Sequence, residues 1–151
     1  MESSQQPSDQ PEPEMTSNHF AEVEVGAEFS RRLTVADQLM ATFLEISHDD
    51  NLLHTNEAFA RTKGFRGRVA YGNLIALMIS SVVGVEMKAL DVMLLSETLV
   101  FHQPAYVSDA LEMKAIVRTK TEVAQVAELT YRVENQANEL VATGKFLVKF
   151  L

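Results

Sequence analysis

Between Ser47 and His54 the chain reads Ser-His-Asp-Asp-Asn-Leu-Leu-His, and Tyr71-Gly72 follows at the mouth of an apolar run. Asp49 and His54 are an acid and an imidazole five residues apart, in a stretch rich in residues that break helices. Such a pair can share a proton transfer, one group accepting as the other delivers. The Gly72 amide adds a backbone donor that a substrate can approach closely, where negative charge builds on a substrate oxygen. Read for structure alone, Ser, Asp and Asn between helices cap or turn the chain. On residue type alone, Asp49 and Asp50 are equal candidates for the acid. His48, Asp49 and His54 offer a rival metal trio, which no thiolate could complete because the chain has no cysteine.

These residues need elements to hold them. Glu28 to Leu33 is a strand candidate. Thr34 then resembles an N-cap with Asp37 three residues on, and Leu39, Met40, Phe43 and Leu44 follow at helical spacing to about Ile46. Ser47 to Asn51 is a polar break. Thr55 or Asn56 caps a short helix through Arg61, which Gly64 ends. Gly72 opens a third helix, to about Val83 or Met87, that is apolar on nearly every side and should be buried on nearly every side. Its amide then lies at a helix N-terminus, where unpaired N–H groups favour negative charge.

The remainder reads as strands: Val92 to His102, Leu111 to Arg118, Val123 to Val133 and Val141 to Leu151. Thr119 to Glu122 and Glu134 to Asn138 are short enough for hairpins. The expected fold class is therefore α+β, a single hot-dog fold in which an antiparallel sheet wraps around one long buried helix.

The 151 residues suit one domain with a real core. No apolar run reaches the ~18 residues that a membrane span needs, and no signal peptide is evident. With no cysteine, disulfides and thiolate chemistry are excluded, which suits a cytoplasmic location. Net charge is −8, and residues 1–18 hold Glu2, Asp9, Glu12 and Glu14 with no Lys or Arg, which is half of it. Three of the four prolines also fall there, so residues 1–18 are expected to be a disordered acidic tail and 19–151 the folded domain. The acidic balance argues against a nucleic-acid partner, and no membrane partner is expected.

The motifs resemble those of the MaoC-like dehydratases and (R)-specific enoyl-CoA hydratases of the hot-dog superfamily. That family reads Ser-Gly-Asp-x-Asn-Pro-(Leu/Ile)-His, then Phe-Ala, then His-Gly-Met. Here the matching residues are Ser47 to His54, Phe59-Ala60 and Tyr71-Gly72-Asn73. Phe101-His102-Gln103-Pro104-Ala105-Tyr106-Val107-Ser108-Asp109 is similar to the family's Phe-x-x-Pro-Val-x-x-Gly-Asp. The likeness spans about residues 20–151. His48 stands where the family has glycine, Leu52 where it has proline, and Tyr71 where it has histidine.

The resemblance implies reversible hydration of a trans-2-enoyl thioester to an (R)-3-hydroxyacyl thioester, a carbon–oxygen lyase reaction with no cofactor and no metal. It selects Asp49 over Asp50 and pairs it with His54 around one water, with Gly72 as the oxyanion donor. It places Ser47, Asn51 and Tyr71 around that pair, where Tyr71 either restores the missing histidine's hydrogen bond or narrows the acyl pocket. The substrate partner would be an acyl-CoA or an acyl-carrier-protein thioester, and a homodimer is implied. Arg61, Lys63, Arg66 and Arg68 form the densest basic run and could meet the phosphates of that carrier. Their plainer reading is cations near a helix C-terminus. His19 reads as a surface residue, and His102 as packed or hydrogen-bonded rather than catalytic. Two rivals share the fold: a thioesterase, and a non-catalytic acyl-binding subunit in which the Asp49–His54 pair is vestigial.

Overall fold

A computed structural model describes residues 19–89 and 91–151; the expected acidic tail lies outside them. A short helix α1 (His19–Glu22) leads into strand β1 (Glu28–Thr34). Three helices follow, α2 (Asp37–Ser47), α3 (Leu52–Thr55) and α4 (Glu57–Thr62). Helix α5 (Asn73–Ser81) continues into a π-helical turn over Val82–Glu86. Strands β2 (Val92–Phe101), β3 (Ala110–Thr121), β4 (Val126–Glu134) and β5 (Leu140–Phe150) complete the chain.

The five strands form one sheet in the order β1-β3-β4-β5-β2, and every neighbouring pair is antiparallel. Alternation in β3 and β4 sends Leu111, Met113, Ala115 and Val117, and Ala127, Leu129, Tyr131 and Val133, into the core. Leu74, Ile75, Met78, Ile79, Val82 and Val83 of the α5 segment join them in one apolar cluster. The expected sheet around a long apolar helix is therefore present.

Four sequence expectations are corrected. Thr34 is not an N-cap: it ends β1, paired with Ala110, and Ala36 occupies the cap of α2 without a side-chain hydrogen bond. Sheet pairing has claimed the residue that local sequence offers to the helix. The α5 segment is not buried all round, since Leu77 and Val85 are exposed. Strand β4 begins at Val126 rather than Val123, which stands fully in solvent within the turn from Glu122 to Gln125. An unexpected helical turn, α3, also precedes the Asn56 cap, because Asn51 caps it by accepting the Leu53 amide.

Strand β2 is a sheet edge, and it carries exposed Met93, Leu94, Leu95, Val100 and Phe101. At the middle of β5, Gly144 leaves room that no side chain could share. A Cβ there would stand 1.9 Å from the Thr98 carbonyl and 2.6 Å from the Tyr131 hydroxyl. That space lets Tyr131 donate to the Thr98 carbonyl across the sheet at 2.9 Å.

Candidate active site

The loop from Ser47 to Leu53 is built by a staircase of local hydrogen bonds. Ser47 Oγ accepts from the Asp49 amide, Asp49 Oδ1 from the Asn51 amide, and Asn51 Oδ1 from the Leu53 amide, at 3.2, 3.2 and 2.9 Å. Each acceptor serves the residue two positions on, the habit of short polar side chains in turns. The Ser47 hydroxyl also donates to the Phe43 carbonyl at 2.6 Å, tying the staircase to α2. His48 ends α2 in the left-handed conformation, φ 57°, with its amide bonded back to Leu44. That geometry explains why the related motif has glycine at this position.

His54 sits on α3, and its ring Nδ1 lies 2.8 Å from the Val69 carbonyl. A carbonyl can only accept, so Nδ1 carries the proton. In the neutral ring Nε2 is then the unprotonated nitrogen, able to take a proton. The Val69 amide donates to the Leu53 carbonyl, so backbone and imidazole are clamped to the same residue.

Tyr71 joins the two halves of the site. Its buried ring packs against His54 at 4.2 Å and Phe43 at 4.7 Å, and its hydroxyl donates to the Asp49 backbone carbonyl at 2.7 Å. Burial, and then the charges of Asp49 and Asp50, hold the Tyr71 hydroxyl above its ordinary value, while Arg68 pulls the other way. Tyr71 is therefore a neutral donor at neutral pH, and it both hydrogen-bonds to the loop and lines a pocket.

That pocket is a cavity of about 420 Å³. His54, Tyr71 and Gly72 line it together with an apolar wall that includes Phe65, Leu74, Ile75, Leu111 and Val141. Gly72 stands at the N-terminus of α5, and the Phe101 ring covers it: a Cβ on Gly72 would meet Phe101 Cζ at 2.6 Å. Asp49 is exposed and is not among the lining residues; it reaches the cavity wall only through Tyr71. Ser47 and Asn51 act on the loop. His48, Asp49 and His54 do not gather as ligands of one ion among the described residues.

Sequence reasoning missed two features. The Val69 carbonyl that orients His54 is a backbone group, invisible to residue type. His102 and Gln103 line the cavity too, and His102 Nε2 lies 2.7 Å from Thr143 Oγ1. His102 is hydrogen-bonded, as expected, but exposed.

The basic run divides. Arg61 pairs with Glu57, Arg66 with Asp109 and Arg68 with Asp37, while Lys63 lies 5.3 Å over the Phe59 ring. The three arginines line a second cavity, of about 350 Å³, and Lys63 does not.

A model of the MaoC-like domain matches residues 19–139. An (R)-specific enoyl-CoA hydratase of Aeromonas caviae is 33% identical over 129 residues, covering 84% of this chain and 95% of its own. A 3-hydroxybutyryl-CoA dehydratase of Methylorubrum extorquens is 30% identical over 137 residues, covering 91% and 87%. The solved (R)-hydratase of A. caviae superposes with a TM-score of 0.81 at 29% identity, over 85% of this chain and 98% of that one.

Proposed function

The chain belongs to the MaoC-like domain family, and on that footing we propose that it interconverts trans-2-enoyl and (R)-3-hydroxyacyl thioesters by adding or removing one water. The observation that carries this reading is His54, clamped through Nδ1 to the Val69 carbonyl on the wall of an apolar cavity beside Gly72. The relatives named as a hydratase and a dehydratase support the same reaction.

In the hydration direction water gives a proton to one member of the Asp49–His54 pair as its oxygen bonds to the β-carbon. The α-carbon gains a proton from the other member, and the C=C π bond is lost. Between these events charge collects on the thioester oxygen. The Gly72 amide, at the N-terminus of α5, would meet that need as an oxyanion donor. A neutral His54 with a free Nε2 suits the accepting role. Ser47, Asn51 and Tyr71 keep the loop in register with the cavity. The lack of cysteine suits a reducing, cytoplasmic setting. The exposed apolar edge of β2 suits a homodimer in which that edge is covered.

Purified protein with crotonyl-CoA should lose the enoyl absorbance without releasing thiol. Asp49→Asn and His54→Ala should each lower kcat by about 10²–10⁴, the usual worth of a positioned acid or base. Parental rates in both variants would remove the pair from the mechanism. Thiol release without hydration would replace the reaction with thioester hydrolysis.

A further inference from the structure

We propose that the cavity lined by Arg61, Arg66 and Arg68 binds the phosphate that ends the pantetheine arm of the acyl carrier. The inference rests on the thioester substrate proposed above.

The placement comes from one segment that borders two cavities. Residues 68–70 run beside residues 105–107: Val69 bridges Tyr106, the Ala70 amide donates to the Ala105 carbonyl at 2.8 Å, and the Val107 amide to the Arg68 carbonyl at 3.2 Å. Along this narrow ribbon, neighbouring residues separate into two cavities. Phe65, Val69 and Ala105 line the apolar cavity with His54, whereas Arg66, Gly67, Arg68, Tyr106 and Val107 line the polar one beside Asp37 and Glu57. The segment from Phe65 to Val69 therefore borders both cavities. A ligand with a greasy acyl end and an anionic far end fits that division.

The arginines differ in how firmly they are held. Arg66 is fixed: it donates at 2.5 Å to Asp109, whose side chain is 4% exposed, and it lies 4.2 Å over the Tyr106 ring. Asp109 also accepts from Gln136 and from the Tyr106 amide, so it does not swing away. Arg61 and Arg68 are held lightly. Their partners Glu57 and Asp37 are 58% and 75% exposed, and surface pairs of this kind are worth about 0–1 kcal/mol. A guanidinium carries five N–H donors in a fork that matches phosphate oxygens. One anchored fork and two that can turn to a phosphate anion make a phosphate site, and the carboxylates that hold them in its absence can rotate into solvent.

Coenzyme A and a holo acyl-carrier protein both present this phosphate. The test is calorimetric titration of the full chain with pantetheine and with 4′-phosphopantetheine, which needs no turnover. Phosphopantetheine should bind at least about tenfold more tightly, and added salt should shrink the difference. Arg61→Gln and Arg68→Gln should each remove most of the gain, while Lys149→Gln, an equal loss of charge on β5, should keep it. Arg66→Gln is a weaker choice because it also leaves Asp109 short of a partner. Equal affinity for the two ligands, or a gain that survives both arginine variants, overturns the proposal. Parallel titrations with coenzyme A and a holo-carrier protein identify the source, and tighter binding of either supports the site. A protein that shows the phosphate effect but never hydrates an enoyl thioester would keep this inference and lose the reaction.

Discussion

At the scale of single residues, the departures from the family motif are the most instructive. Sequence comparison says only that His48 replaces a glycine. The structure supplies the reason glycine is usual: a left-handed residue closes α2. A side chain in that conformation costs roughly 1–2 kcal/mol, part of which glycine gives back through its freer unfolded chain. His48→Gly is therefore expected to raise stability by up to about 1 kcal/mol in urea unfolding, with little effect on the reaction, because His48 does not line the cavity. Tyr71 is another of the three departures. Its hydroxyl takes hold of the Asp49 backbone and its ring stacks on His54, so it connects the two candidate groups rather than joining their chemistry. Neither contact could be read from residue identity, since one ends on a carbonyl and the other depends on a crossing of α3 with the segment before α5.

At the scale of elements, the sheet and the apolar helix were legible because their periodicities are long and unambiguous. Leu111 to Val117 and Ala127 to Val133 alternate without interruption, and the run from Leu74 to Val83 supplies the helix packed against them. What failed was local. Thr34 and Asp37 have the spacing of a capping pair, but a β-ladder to Ala110 outcompetes a cap worth about 1 kcal/mol. Val123 has strand character and still stands in a turn, where Gln125 takes a positive φ to reverse the chain. Strand packing also tunes a titration. Burial, and then the charge of Glu97, push the Tyr131 hydroxyl up to about 12. A phenol raised in the folded state keeps its proton longer there than in the unfolded chain. Its contribution is intact below about pH 10 and is lost as pH climbs from 10 toward 12. Thermal melts between pH 9 and 12 should show this loss, and Tyr131→Phe should flatten that part of the curve while lowering stability at pH 7, since the Thr98 carbonyl loses its donor.

At the scale of the whole molecule, one sheet edge remains to be accounted for. Strand β2 has β5 on one side and an open ladder on the other, and five large apolar residues along it face solvent. Open edges of that composition invite pairing. Sedimentation should therefore give about twice the chain mass, and Leu94→Lys with Val100→Lys should give a single chain that remains folded by circular dichroism. A parental protein that sediments as a single chain would leave the edge without a partner. Phe101 belongs both to that edge and to the wall over Gly72. Assembly and catalysis would then be read by the same ring, and turnover per chain would drop on dilution, at the concentration where the pairs come apart.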